Sequence, residues 1–369
     1  MLCSPAFTNR ACLALLLLSL LYFLGMDLLL YFRTQNYDVR PRTNDTHGGA
    51  PYHSPILCEM DPICLVTVKA IMLDHPNHFV LSPLASLVDY LLGISKCWTW
   101  LSPNAISAFH VLVAVFGARY ITRSSLAHRR LGVLLFQVRA WLDNLDGHVA
   151  RQRLNVEGER SDVGSVGYLV DGVCDGLGCI ALVVAVFFLL KRSSNRRAGY
   201  ERLSSNRKST ASLATQRDNG VSSPKISFWN SPLYHMLLVG VHFLLTSAVW
   251  NRYISVYQDL LETDDRPPLV TKEQFYARQT IVLRSPLFWA VALGWRIFNF
   301  HAAMDYMQLA IFLDRIWEYI RLMRWPAYVI LLLLMFISEL HYLHVYTYVQ
   351  TVPSVTNVYT FLANTLAPR

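Results

Sequence analysis

Seven stretches of this chain are apolar for long enough to cross a bilayer as helices, for which about 20 residues suffice. The first, residues 11–32, is broken by polar groups only at Ser19 and Asp27. It is long for the apolar part of a signal peptide and no small-x-small cleavage site follows it, so an uncleaved anchor is expected. Six more follow, at residues 104–121, 131–150, 164–190, 228–254, 285–313 and 325–348. The pattern predicts an all-α polytopic membrane protein, a six-helix core plus one N-terminal transmembrane anchor.

The segments between are equally telling. Residues 33–102 begin with a Pro-, Asp-, Asn- and Gly-rich run that reads as loop. That run carries Asn44-Asp45-Thr46, a glycosylation acceptor on a lumenal face. Residues 79–94 are apolar-rich with few charges, the pattern of an interfacial or re-entrant helix. Residues 191–225 are rich in Ser, Asn and Arg and are expected to be a flexible linker. The expected layout is therefore a cytoplasmic start and anchor (1–32), a lumenal loop region (33–102), a catalytic core (103–349) with a basic cytoplasmic loop inside it (191–226), and a lumenal tail (350–369).

Composition agrees with the pattern. Charged residues are 16 % of the chain and hydrophobic ones 53 %, whereas a soluble domain carries about a quarter charged. The net charge of +8 does not imply nucleic acid, because no nucleic-acid-binding motif accompanies it and the cations collect in loops, where they set topology. Three loops on one side of a six-span core are basic. The first holds Arg123, Arg129 and Arg130, the third holds Arg315, Arg321 and Arg324, and the middle one, 191–225, has nine cations against Glu201 and Asp218. This side is expected to be cytoplasmic. The opposite loop, 257–280, has five acidic residues against three basic ones, and the Asn44 sequon falls on the same side as that loop. Seven cysteines without a paired CxxC argue against a zinc site. Cys58, Cys64 and Cys97 share one polar segment. Free thiols and a Cys58–Cys64 disulfide both remain open, the latter requiring an extracytoplasmic location.

The chemistry concentrates in two short runs, Asp143-Asn-Leu-Asp146-Gly147-His-Val-Ala150-Arg151 and Gly167-Tyr-Leu-Val-Asp171-Gly-Val-Cys-Asp175. Spacings of three and four put each aspartate pair on one helix face. Consecutive antiparallel helices then bring all four carboxylates to one membrane level. Carboxylates so placed must be protonated or neutralised, and hard oxygen ligands suit Mg²⁺ or Mn²⁺. Four of them match a two-ion site of the kind that serves phosphoryl displacement. Gly147 and Ala150 leave room for a nucleotide, and Arg151 is placed to hold a phosphate oxygen. Arg139, one turn earlier, either meets substrate phosphate or balances the carboxylates. His301 and Asp305 are four apart and are expected to pair with each other, ahead of the alternative that they line the substrate cavity. His148 sits at a variable position of the run and is given no catalytic role.

The two runs resemble the signature of the CDP-alcohol phosphotransferase family, D-x2-D-G-x2-A-R … G-x3-D-x3-D, at all eight fixed positions. Ser102-Pro103-Asn104 resembles that family's entry into its first core helix. The resemblance implies two divalent cations, Mn²⁺ favoured over Mg²⁺, held by Asp143, Asp146, Asp171 and Asp175. It also implies Asp175 as general base and a substrate site lined by Gly147, Ala150, Arg151, Gly167 and Asn104. Fifteen residues separate Arg151 from Gly167, where the family usually has eight. The insertion, with Glu157, Glu159, Arg160 and Asp162, is expected to form a loop over the site, and it tells against a routine phosphatidyl-alcohol synthase. The chain most resembles the insect branch of the family, which moves phosphoethanolamine from CDP-ethanolamine to ceramide. An ethanolamine or choline phosphotransferase acting on diacylglycerol is the alternative within the family, and a non-catalytic transporter or scaffold the one outside it. The resemblance further implies a homodimer in the bilayer, residing in the Golgi membrane (or the endoplasmic reticulum) with a lumenal active site. The loop charges carry a direct test of that topology. A tag inserted after Ser212 is expected to be digested by protease added to sealed microsomes, and a protected tag contradicts the lumenal site.

Overall fold

The computed structural model describes residues 5–39, 54–64, 66–154, 166–210, 231–268 and 270–351, with backbone alone for 5–10, 12 and 194–210. The Asn44 sequon, the insertion at 155–165, residues 211–225 and the tail from 352 lie outside the described residues. Every regular element among the described residues is helical, and the protein is an all-α polytopic membrane protein. The helices are α1 (Pro5–Gln35), α2 (Val68–Met72), α3 (Ser82–Leu92, preceded by a π-helical turn at Asn77–Leu81), α4 (Ile94–Cys97), α5 (Pro103–Ile121), α6 (Leu126–Leu154) and α7 (Val166–Thr210). They continue with α8 (Pro232–Leu261), α9 (Lys272–Arg284), α10 (Pro286–Phe298), α11 (Phe300–Phe312), α12 (Ile316–Arg324) and α13 (Pro326–Gln350).

One local device starts three of the long elements. Ser102-Pro103, Ser231-Pro232 and Ser285-Pro286 each place a serine at the N-cap and proline in the first turn. The serine hydroxyl accepts from the third amide beyond it, at 3.1, 3.2 and 3.1 Å respectively. Proline is tolerated there because its missing N–H has no intrahelical partner to lose. Five helical segments are long and apolar enough to cross a membrane, Leu13–Gln35, Pro103–Ile121, Val166–Ser193, Pro232–Leu261 and Pro326–Gln350. The α9–α10 pair, bent by 57°, makes up to six. Their outward faces carry exposed Leu, Val, Ile and Phe such as Leu18, Leu177, Leu244 and Leu332, which suits contact with lipid rather than water.

Two expectations are corrected. The single span at 285–313 is two helices broken at Asn299, whose backbone is extended (φ −75°, ψ 173°) and whose side chain accepts from Ala302 N at 2.8 Å to start α11. The expected helix at 131–150 lies within α6 and carries Arg139, Asp143 and Asp146 in its length. The expected linker at 191–225 is helical backbone as far as Thr210, where α7 ends.

One charge helps tie α1 to the body. Asp27 lies 2.7 Å from His75 Nε2 and 3.1 Å from Arg296 Nε. Arg296 is 1 % exposed, donates to the carbonyls of Ala70 and Ile71, and lies 4.4 Å from the centre of the Phe79 ring. An ionised side chain at membrane depth needs such partners. Near the end of α13, Glu339 pairs with Arg252 at 2.6 Å and His341 with the Tyr257 hydroxyl at 2.7 Å.

The contact that positions the site is between α5 and α6. A Cβ on Gly132 would stand 2.7 Å from Gly117 O and 2.9 Å from Ile121 N, so the two backbones touch where no side chain fits. Small residues permit this approach in membrane helices. Gly132→Ala is expected to force α5 and α6 apart at a cost of about 1–3 kcal/mol, read as a lower thermal midpoint of the detergent-purified protein. An unchanged midpoint would show that the approach carries no stability.

Candidate active site

α5 packs against both α6 and α7, so three helices build one cluster. α6 supplies Asp143 and Asp146, α7 supplies Asp171 and Asp175, and α5 supplies Ser107 and His110. Ligand atoms of His110, Asp143, Asp146 and Asp171 all lie within 4.8 Å of one another. His110 Nε2 is 4.0 Å from Asp143 Oδ1, 3.9 Å from Asp146 Oδ2 and 4.0 Å from Asp175 Oδ1. Asp146 is almost fully buried and accepts from the Ser107 hydroxyl at 2.6 Å. Asp175 is also tied to α6, since Arg139 Nη2 donates to its Oδ1. Arg139 is buried against α7, where a Cβ on Gly178 would come within 2.9 Å of its Nε. The guanidinium thus occupies the place of a missing side chain and balances the carboxylates.

A cap formed by residues 74–101 is strapped across the aspartate-bearing half of α6. Asn144 donates to Asn77 Oδ1 at 2.7 Å, and Asn77 donates to Asp74 at 2.9 Å. His148 Nε2 lies 3.1 Å from Asp89 Oδ2 and its Nδ1 3.3 Å from Ser86 Oγ. Burial pushes the Asp89 carboxyl up, but the Ser95 amide and hydroxyl together with His148 outweigh it and hold it below the usual carboxylate range. Arg153 donates to the carbonyls of Ile94, Ser95, Trp98 and Leu101. The expected helix at 79–94 is therefore part of this cap.

The remaining sequence candidates fall in different places. Arg151 lies along Gly147, its Nη1 3.1 Å from where a Cβ would be, so the space over that glycine holds the guanidinium. Ala150 is half-buried beside it, while Gly167 and Asn104 are exposed in the first turns of α7 and α5. His301 and Asp305 do not take each other as partners. Asp305 accepts from Gln137 Nε2 at 3.0 Å, and the His301 ring meets Trp250 edge-on at 5.4 Å. Both line a small cleft with Asn77, Arg139 and Gln308, next to the aspartate cluster.

Sequence reasoning missed Ser107 and His110. Their signal was a stripe of Ser107, His110, Ala114, Gly117 and Ile121 at helical spacing, all buried, with one imidazole among small residues. The donor set fits a divalent cation. Both ring nitrogens of His110 and Asp171 Oδ1 are buried without a hydrogen-bond partner, and oxygen donors joined by one imidazole suit such an ion.

Fold and cluster together define a helical membrane protein with a carboxylate-rich site shared by three helices. The sequence model of the family described as ceramide phosphoethanolamine synthase matches residues 1–352. A curated relative from Drosophila melanogaster, named ceramide phosphoethanolamine synthase, is 40 % identical over 324 residues, covering 86 % of this chain and 78 % of the relative. The chain belongs to the ceramide phosphoethanolamine synthase family, and is a transmembrane transferase of lipid metabolism. No solved structure matches it.

Proposed function

We propose that the protein transfers phosphoethanolamine from CDP-ethanolamine to ceramide, giving ceramide phosphoethanolamine and CMP. The observation that carries this reading is the convergence of the aspartates of α6 and α7 in a chain that its family matches almost from end to end. Asp143, Asp146, Asp171 and Asp175 would hold two divalent cations, Mn²⁺ favoured on the family resemblance. When bound, these supply positive charge for the diphosphate of the donor and for the departing CMP.

The side chains of the chain itself have the remaining tasks. Asp175 takes the proton of the ceramide primary hydroxyl. That oxygen then bonds to the β-phosphorus, and the bond from phosphorus to the CMP oxygen breaks. Arg139 holds Asp175 in place through the hydrogen bond to its Oδ1. Arg151, beside Gly147, is placed to contact a phosphate oxygen, and a planar guanidinium suits that contact.

A lumenal site is part of the proposal, with Golgi residence resting on the resemblance. Two features support it. The Cys58–Cys64 disulfide lies in the segment that His78 of the cap bonds through Pro62 O, and disulfides persist in the lumenal compartment. At the far end of the bundle Arg129 pairs with Asp314 at 2.6 Å and Arg130 donates to Phe312 O at 3.0 Å. This joins two of the basic loops at the end remote from the aspartates, as the charge rule requires of the cytoplasmic face.

The test is purified protein with labelled CDP-ethanolamine or CDP-choline, offered ceramide and diacylglycerol in turn. The expected product is ceramide phosphoethanolamine, and Asp175→Ala is expected to abolish it while the protein remains membrane-inserted. Transfer to diacylglycerol alone, or near-normal activity of the variant, would overturn the assignment.

A further inference from the structure

His110 stands among the clustered carboxylates, and the hydrogen bonds of the described residues do not account for it. Its side chain is 0 % exposed, and neither Nδ1 nor Nε2 has a hydrogen-bond partner. Leaving a buried polar group unpaired costs about 1–3 kcal/mol, so such a group is retained for a reason. Its surroundings supply one. Nε2 stands 3.9–4.0 Å from oxygens of Asp143, Asp146 and Asp175. That is too long for a hydrogen bond, but short enough for nitrogen and oxygen to reach a common ion at about 2.1 Å each.

Asp175 is equally near, its Oδ1 4.0 Å from His110 Nε2, but that oxygen already has a partner. Arg139 holds its Oδ1, and the carboxylates that group with His110 are Asp143, Asp146 and Asp171. Ser107, one turn before His110 on α5, fixes Asp146 by its hydroxyl at 2.6 Å, so α5 orients one member of the set and contributes another. The Gly117–Gly132 approach further along α5 is what lets this helix come near enough to do both.

We propose that His110 is a metal ligand, giving one divalent ion a mixed site of an imidazole nitrogen with Asp143, Asp146 and Asp171. The inference rests on the metal-dependent reading of the aspartates above and adds a nitrogen donor from a helix outside the aspartate motif. An imidazole in place of a carboxylate lowers the negative charge of the site by one. It also moves the preference away from Mg²⁺, an oxygen-seeking ion, towards metals that accept nitrogen.

The test is pulsed electron paramagnetic resonance on the full chain in detergent, loaded with Mn²⁺ alone and prepared with natural and ¹⁵N-labelled histidine. The wild type is expected to show a directly bound histidine nitrogen coupled to Mn²⁺. The coupling should persist in His148→Gln and disappear in His110→Gln, with Mn²⁺ bound at least tenfold more weakly in the latter. Should His110→Gln not fold, coupling that persists in both His148→Gln and His301→Gln assigns the nitrogen to His110, and coupling lost in His301→Gln overturns the proposal. Mn²⁺ bound without nitrogen coupling, or coupling that survives His110→Gln in a folded protein, overturns the proposal and leaves the aspartate reading standing. Failure of the wild type to bind Mn²⁺ at all overturns both.

Discussion

Four carboxylates crowded at one level of a membrane protein repel one another, and much of the structure around them compensates for that repulsion. Arg139 holds Asp175 by a buried ion pair, Ser107 donates to Asp146, and His110 brings two unpaired nitrogens to the centre of the group. One guanidinium cannot balance four negative charges, so the remainder falls to cations or to protons. The arrangement is costly to maintain, and its natural use is to gather positive charge where a diphosphate must be bound and cleaved.

Holding that group in register requires rigid support on all sides. α5 reaches the cluster because its backbone meets α6 at Gly117 and Gly132 without intervening side chains. Arg139 reaches Asp175 because Gly178 leaves it room. On the outer side the 74–101 cap is joined to α6 by Asn144, His148 and Arg153, so the aspartate helix is held by polar bonds along one face and glycine contact along another. The N-terminal helix joins the same frame, since Asp27 of α1 shares Arg296 with the carbonyls just ahead of the cap.

The aspartates were legible in the sequence because spacings of three and four encode a helix face without any knowledge of tertiary structure. The seven apolar stretches were legible for a similar reason, although the break at Asn299 was not. Its neighbours remain apolar on both sides, and only the cap to Ala302 reveals that the backbone turns there. His110 was hidden because it lies more than 30 residues from the nearest of the four clustered aspartates and gains its meaning only when α5 is laid against α6 and α7. The expected His301–Asp305 pair failed on the same ground. Residues four apart on a helix can touch each other, but Gln137 from α6 offered Asp305 a hydrogen bond instead.

The central claim is that the clustered aspartates become a nucleotide-diphosphate site only when divalent cations neutralise them. The most direct measurement is the affinity of the purified full chain for CDP-ethanolamine, by calorimetry, in Mn²⁺ and then in excess EDTA. Without the cation the carboxylates should repel the diphosphate, and affinity should fall at least tenfold. An Asp146→Asn, Asp171→Asn double variant should lose most of the dependence on Mn²⁺. Equal affinity in Mn²⁺ and in EDTA would contradict the account.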